Sequence, residues 1–216
     1  MNHDPRSSSR IPALPVWLIA ATLLVGCAAF DTSVDISSGR IALINQNYAQ
    51  ALPRFEAAAH LNPDYVTTFT EFPENVWTYV GRSYYGLGDL KRARGALDLS
   101  VQKHPDAILG HVYLGLVQMR QGQVKEGLVN ADKGLKLLHQ WFERLDATSQ
   151  YSSYWDPSSV IRNTTSDLIQ QIHSGEVPWQ QIASKLDWVG MRMEREINLS
   201  SRDITDALTE GETNPP

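Results

Sequence analysis

Histidine and cysteine, the residues most often found at catalytic and metal-binding sites, form no recognisable pattern in this sequence. The six histidines are His3, His60, His104, His111, His139 and His173, and the single cysteine is Cys27. No histidine pair has the H-E-x-x-H spacing that places two imidazoles on one helix face, and a lone cysteine excludes a C-x-x-C zinc or redox site. The sequence also lacks a G-x-S-x-G nucleophile elbow and a P-loop. It therefore predicts a protein that is not an enzyme and takes no metal, cofactor or small-molecule substrate.

Length and composition are typical of one globular domain, with or without a tail. The chain has 216 residues, of which 42% are hydrophobic and 20% charged, and its formal net charge is −5. These fractions fit a folded domain better than a disordered chain or a disulfide scaffold. An acidic balance without a cluster of lysines and arginines argues against nucleic acid as a partner.

The cysteine ends a segment that has the order of a secretory signal. Residues 1–10 are polar and include two arginines, and an apolar run follows from residue 11 to residue 30. A charged region followed by an apolar one is typical of a signal peptide. The run contains Leu24-Val25-Gly26-Cys27, which resembles the lipobox of bacterial lipoproteins. The resemblance implies that residues 1–26 are cleaved and that Cys27 carries the acyl chains, palmitate among them, which anchor the mature protein to a membrane.

Two other interpretations of this segment stay open, an uncleaved membrane helix and a conventional cleaved signal. The run is about 20 residues long, which is enough to cross a bilayer. Pro12 and Pro15 near its start favour a short signal over a spanning helix. Ala28, rather than aspartate, follows the cysteine, and the lipoprotein resemblance then implies the outer membrane, with the protein facing the periplasm.

The stretch from Trp77 to Pro105 shows the clearest helical pattern. Its marked positions are Trp77, Val80, Gly81, Tyr84, Ala93, Leu97 and Pro105. This spacing resembles the tetratricopeptide repeat (TPR), a helical hairpin of 34 residues. Gly81 permits close approach of a second helix, and Gly88-Asp89 is suited to end one helix and cap the next. Because a lone hairpin exposes its apolar face, we expect similar hairpins on both sides.

This repeat spans about residues 74–107, and weaker repeats flank it at about residues 32–65 and 108–141. The first matches through Ala51, Phe55, Ala58 and Pro63, although Pro53 falls inside its second helix. The third matches through Leu114, Gly115, Gly122, Gly127 and Ala131, places His111 where a packing residue is expected, and lacks a closing proline, so its second helix is expected to reach Leu145. An insertion at residues 66–73 separates the first two repeats; it is predicted as a loop or extended piece, with Pro73 in the first turn of the next helix. Phe69 within it is either a partner contact or a core residue.

The part of the chain after the repeats, residues 146–208, is predicted to be helical and to cap the stack. Asp156-Pro157 is a good helix start, and Gly175 can end that helix. A following amphipathic helix of about five turns is indicated by Trp179, Ile182, Leu186, Val189, Met193 and Ile197. It would close the last repeat or, alternatively, bind a partner or a second copy. The polar tail at 209–216 is expected to be disordered.

The TPR resemblance places partner binding on the concave face lined by the first helix of each repeat. The positions that match this face are Arg40, Asn75, Thr78, Arg82, Tyr85, Val112, Leu116, Met119 and Arg120. Arginine and tyrosine are favoured at interaction hot spots, and methionine adapts to irregular partners. Leu109 and Tyr79 stand where chaperone-binding TPRs carry lysine and asparagine, which argues against a chaperone tail as the partner.

The sequence as a whole predicts an all-α protein, a short TPR-like solenoid of about three hairpins over residues 27–145 with C-terminal capping helices. The function implied is a lipid-anchored periplasmic scaffold that binds an envelope protein or peptide segment. The alternative is a peptidoglycan-associated accessory protein that binds glycan through Trp141, Tyr151, Tyr154 and Trp155. Burial of these aromatics at the repeat boundary would explain the cluster without a ligand.

Overall fold

The computed structural model describes residues 32–67 and 71–213, with side chains as far as residue 209. Within these ranges the chain is all-α and forms no strand; residues Val66 and Asn75 make an isolated antiparallel bridge. The helices are α1 (32–44), α2 (Tyr48–Leu61), α3 (Val76–Gly86), α4 (Leu90–Lys103), α5 (Ile108–Arg120), α6 (Val124–Thr148), a short 3₁₀ helix (Ser152–Tyr154), α7 (Val160–Ser174) and α8 (Trp179–Thr213). The predicted signal peptide, Cys27 and Phe69 lie outside the described residues.

Helices α3 and α4 form the hairpin that the sequence predicts most clearly. A Cβ atom on Gly81 would lie 2.5 Å from Leu97 Cγ, so the two helices touch at the position where glycine was expected to allow close approach. Gly88 has a φ of 79°, and the Asp89 side chain accepts a hydrogen bond from the backbone N–H of Arg92. The predicted turn and cap between these helices are therefore confirmed.

Helices α1 and α2 form the preceding pair. A Cβ on Gly39 of α1 would lie 2.6 Å from the Phe55 ring of α2, and that ring stacks on Tyr79 of α3 at 4.8 Å between centroids. Pro53 is the sixth residue of α2 and removes one backbone hydrogen bond without ending the helix. The buried side chains of α1, α2 and α3 form one hydrophobic cluster.

Helices α5 and α6 pack most tightly. On three glycines, Gly115, Gly127 and Gly134, a Cβ atom would lie under 3 Å from atoms of the opposite helix. The two helices can therefore cross with their backbones in contact. Helix α6 continues through Leu145 to Thr148, as the missing closing proline predicts.

Two predicted helix starts are wrong. Helix α3 begins at Val76 rather than near Pro73, because the bridge at Asn75 keeps the preceding backbone extended and the Asn75 side chain caps the helix by accepting from Thr78 N. Helix α7 begins at Val160 rather than at Asp156-Pro157. Asp156 still caps this helix from outside it, because its carboxylate accepts from the backbone N–H groups of Ile161 and Arg162 at 3.1 and 2.9 Å.

Helix α8 is longer than predicted and lies across one face of the α1–α6 array. The predicted apolar stripe is confirmed, since Ile182, Leu186, Val189, Met193 and Ile197 are at most 2% exposed. The helix runs to Thr213, although the sequence predicts disorder from residue 209. Extending an existing helix by one residue costs far less than nucleating one, so its buried middle supports the polar end. Over the described ranges, none of the helices combines the length and apolarity that spanning a membrane requires.

Candidate functional site

Helices α1, α3 and α5 line one face of the array, which we call the α1–α3–α5 face and define by Arg40, Arg82 and Tyr113. Helix α8 covers its middle. Arg40 and Arg82 bind a carboxylate of α8, and a Cβ on Gly190 of α8 would lie 2.5 Å from Tyr113. The face on which partner binding was predicted is therefore occupied, in its middle part, by the chain's own helix.

Glu194 is the centre of this contact. Arg40 Nε donates to Glu194 Oε1 and Arg82 Nη1 donates to Glu194 Oε2, both at 2.7 Å. Arg82 Nη2 also donates to the backbone carbonyl of Gly190 at 3.2 Å. The side chains of Arg82 and Glu194 are each 1% exposed. Two cations from two different hairpins thus share one carboxylate in the protein interior, and this fixes the register of α8 on the face.

The charges at this contact are stabilised in their ionised forms. Burial opposes ionisation of Glu194, but Arg82 and Arg40 outweigh it and hold the pKa of its carboxyl below the usual value. Burial alone would lower the pKa of the Arg82 guanidinium, whereas Tyr113 and Glu194 raise it instead. The guanidinium lies 5.0 Å from the ring centroid of Tyr113, within range of a cation–π interaction. Arg40 and Arg82 carry two positive charges and Glu194 one negative charge, so these three groups together have a net charge of +1.

A second buried carboxyl, Glu74, lies at the start of α3. Glu74 is 1% exposed, and its Oε1 accepts from the backbone N–H of Asn75 while Oε2 has no hydrogen-bond partner within the described ranges. Burial raises its pKa to about 8, and the neighbouring Arg82 counteracts only part of that effect. Glu74 is therefore a protonated acid at neutral pH and does not neutralise Arg82.

Two of the predicted binding residues belong to a polar network between helices α3 and α4. Asn75 Nδ2 donates to Ser100 Oγ at 3.0 Å, and Thr78 Oγ1 lies 2.8 Å from the same oxygen. All three side chains are buried. They hold α3 against α4.

Three further predicted binding residues pack inside the α5–α6 pair or the core beside it. Val112 meets α6 at Gly134, where a Cβ would lie 2.7 Å from Val112 Cγ2, and Met119 meets it at Gly127. Leu116 is fully buried in the hydrophobic cluster formed by α4 to α8. These side chains stabilise the array, and none of the three is accessible to a partner.

The accessible remainder of the predicted binding set is Tyr85 with Arg120. Tyr85 is half-buried and Arg120 is exposed, and the Arg120 guanidinium lies 4.9 Å from the Tyr85 ring centroid. The Tyr85 ring also meets the Tyr113 ring edge-to-face at 5.5 Å. Asp187 of α8 is close enough for its charge to act on Tyr85, and burial raises the pKa of Asp187 although Arg82 and Arg120 oppose that change. An aromatic ring, a cation and a carboxylate thus meet where α8 leaves the face open.

The aromatic cluster proposed as a glycan platform is mostly internal. Trp141 and Trp155 are 3% and 1% exposed, and their rings meet edge-to-face at 4.9 Å. Both indole N–H groups donate to Glu71, one to its backbone carbonyl and the other to its carboxylate. Tyr151 and Tyr154 are half-buried beside them. The core therefore covers the two tryptophan rings, which cannot stack on a sugar.

His111 is held as a packing residue, as the sequence predicts. Its Nδ1 lies 3.1 Å from Asn130 Oδ1 and its Nε2 lies 3.0 Å from the Pro105 carbonyl. Burial lowers the pKa of the imidazole. In the part of the chain that the structure describes, no group of three or more histidine, cysteine, aspartate or glutamate side chains is arranged to hold a metal ion.

The residue that sequence reasoning missed is Glu194. It stands next to Met193 and three residues before Ile197, so it lies on the apolar face of an otherwise amphipathic helix. A charge at such a position needs a buried partner of opposite sign. The position of Glu194 on the apolar face was therefore a signal in the sequence that α8 packs against a buried cation such as arginine.

In comparisons with models of known protein families and with curated proteins, the chain matches none of them.

Proposed function

We propose that this chain is a lipid-anchored periplasmic scaffold, a TPR-like stack of helical hairpins that mediates protein–protein interactions in assembly or maintenance of a bacterial envelope. The observation that carries the proposal is the seating of α8. The α1–α3–α5 face holds an amphipathic helix through a central ion pair and apolar side chains that flank it. Surfaces of this kind recognise helices and peptides, and the chain offers no catalytic pattern of residues that would favour an enzyme.

The partner-binding surface in this proposal is the open edge of the face, at Tyr85 and Arg120. Because α8 buries Arg40 and Arg82, a partner would reach them only by displacing a helix whose stripe is at most 2% exposed. Tyr85 and Arg120 remain at the surface, and both residue types are enriched at binding hot spots. We therefore place the partner beside α8 and not in its position.

A cross-linking experiment tests this assignment. A photoreactive amino acid replaces Leu87, which is 46% exposed and two residues from Tyr85. In living cells, we expect it to capture an envelope protein other than a second copy of the chain. Capture should fall at least about tenfold in Arg120→Glu, since reversing one hot-spot charge costs more than about 1.4 kcal/mol.

The matched control is Arg144→Glu, which makes the same charge change at an exposed position of α6. This variant should retain capture in full. Equal capture in the Arg120→Glu and Arg144→Glu chains would contradict the proposed surface. The glycan-binding alternative has no supporting observation, because Trp141 and Trp155 face the core.

A further inference from the structure

An apolar groove of about 480 Å³ lies between helices α2 and α4, on the other side of the α3–α4 pair from α8. Its walls are Glu56, Ala59 and His60 of α2 and Arg92, Gly95, Ala96 and Leu99 of α4. The floor includes Trp77 and Tyr84 of α3. Small residues on both walls leave space for another element to approach closely.

Gly95 is the unusual residue of this groove. It lies in the interior of α4, where glycine destabilises a helix relative to alanine. A Cβ on Gly95 would meet no atom within 4 Å. Every other glycine with described surroundings either has a positive φ or lies where a Cβ would collide with a neighbouring side chain or backbone. Nothing in residues 32–67 and 71–213 of one copy therefore requires the absence of a side chain at position 95.

We propose that this groove is the interface between two copies of the chain, with Gly95 at the point where their helices approach. The inference does not rest on the partner surface at Tyr85 and Arg120. A twofold interface must be self-complementary, so that the α2 wall of one copy meets the α4 wall of the other when the axis runs along the groove. The small residues Ala59 and Gly95 then face each other across the interface.

The charges of the rim fit this symmetry. Glu56 accepts a hydrogen bond from the Tyr84 hydroxyl, and the Arg92 guanidinium lies 5.5 Å from the Tyr84 ring, so the two charges stand at the same height on opposite walls. Rotation by half a turn about the groove axis places Arg92 of each copy opposite Glu56 of the other, so the interface contains two such pairs. Within one copy Arg92 is 3.4 Å from Asp89 and also contacts Tyr84, and its side chain is 68% exposed, so these internal contacts are weak enough to exchange. A partner whose charges all had the same sign would be complementary to only one of the two walls of the groove.

The test measures the protein mass of the full chain in detergent by light scattering, with the detergent contribution subtracted, over a range of concentrations. We expect the wild type to reach twice the chain mass at micromolar concentrations. Gly95→Leu places a bulky side chain into the interface and should raise the dissociation constant at least about tenfold. The variant should retain the helix content of the wild type and still unfold cooperatively, since leucine is the better helix former, although loss of the dimer removes the stability that association adds. This result would show that the Gly95→Leu variant loses the dimer without losing its fold.

Charge exchange gives the sharper result. Glu56→Arg and Arg92→Glu should each weaken self-association, because each places like charges opposite one another. An equimolar mixture of the two variants should recover the dimer mass, because every rim pair is then complementary. Arg144→Glu should dimerise as the wild type does. A wild type with the mass of one chain at all concentrations would overturn the proposal, and so would a dimer unaffected by Gly95→Leu or a mixture that stays monomeric.

Discussion

Glu194 is the residue on which the packing of α8 depends, since it joins two arginines that lie on different hairpins. An ion pair buried this deeply contributes little net stability when intact, because desolvation of the ions offsets their attraction. Removing one partner is a different matter, because the remaining charges stay buried without compensation. The role of Glu194 is therefore to fix where α8 sits, and its loss is far more costly than its presence is stabilising.

Replacing this carboxylate should destabilise the protein strongly. We expect Glu194→Ala to lower the free energy of unfolding by about 3–5 kcal/mol, because Arg40 and Arg82 lose their shared partner in the interior. Urea denaturation measures the change, with the exposed Glu143→Ala as the control. The triple variant Arg40→Met, Arg82→Met and Glu194→Met should regain most of the loss, since it removes all three charges together. A loss under about 1 kcal/mol for Glu194→Ala would refute this account.

Glu74 should make stability depend on pH in the opposite direction to most carboxyl groups. Its pKa is about 8 in the folded protein and near 4.5 in the unfolded chain, so the folded state binds the proton more tightly. Its contribution is fully present below the unfolded pKa and is lost as the pH rises through about 8. Glu74→Gln should therefore gain stability relative to the wild type as the pH rises, by at most about 5 kcal/mol, since the two pKa values differ by about 3.5 and each pKa unit corresponds to about 1.4 kcal/mol.

Urea denaturation of both proteins at about pH 5 and about pH 8 measures this difference. Taking the variant relative to the wild type cancels the other titrating groups, Glu194 included. The pKa of Glu194 is lowered, and so its own contribution is lost only as the pH falls through its folded pKa. A stability difference between Glu74→Gln and wild type that does not change with pH would contradict the buried, protonated state of Glu74.

At the scale of elements, α8 completes the fold and does more than cap one end of it. The sequence favours packing against the last repeat. In the structure, Glu194 and Gly190 of α8 make its contacts with α1, α3 and α5, and Arg82 of α3 binds both of them. It also supports the loop before α7, because Glu196 accepts from the backbone N–H of Asp156 at 2.6 Å. Its two sides therefore meet different parts of the chain, while Trp188 and Leu199 keep one side of it exposed.

Two truncations should distinguish the contribution of the buried part of α8 to folding from that of its C-terminal end. Deleting residues 179–213 leaves Arg40 and Arg82 without their carboxylate and exposes the apolar face, so we expect no cooperative unfolding transition. Deleting only residues 205–213 should change the free energy of unfolding by less than about 0.5 kcal/mol, since the side chains at 205–209 are exposed apart from the half-buried Ala207. Circular dichroism during thermal denaturation distinguishes the outcomes. A cooperative transition after the longer deletion would show that α1–α7 folds without α8.

At the scale of the whole molecule, the described helices form two hydrophobic clusters. One is built mainly by α1 to α3 around Phe55 and Tyr79, and the other mainly by α4 to α8 around Leu116 and Leu186; α3 and α4 contribute side chains to both. Side chains of α3 contact both, and α8 joins them again through Arg40. The array is thereby closed on one face and open on the other, where the α2–α4 groove lies.

The lipid anchor is a prediction for the whole chain. We expect metabolic labelling with palmitate for the wild type and none for Cys27→Ala, since the sequence holds no second cysteine. Carbonate extraction of membranes should leave the wild type in the pellet, because three acyl chains at roughly 0.8 kcal/mol per buried CH₂ anchor firmly. Label retained by Cys27→Ala would contradict lipidation at this residue.

The sequence by itself determines which segments are helical and several of their ends, since Gly81, Gly88, Asp89 and Gly175 act through local turns, caps and close contacts that depend on nearby residues; the starts of α3 and α7 depend on contacts outside these helices. It also determines the buried stripe of α8, because apolar spacing of three and four residues defines a face whatever covers it. Only the tertiary structure decides that this face covers Arg40 and Arg82. Periodicity shows which side of a helix is apolar, but which surface it meets depends on contacts between residues more than a hundred positions apart, as between Arg82 and Glu194. Most of the predicted binding residues are therefore covered by the chain itself, and Tyr85 and Arg120 are the two that stay accessible.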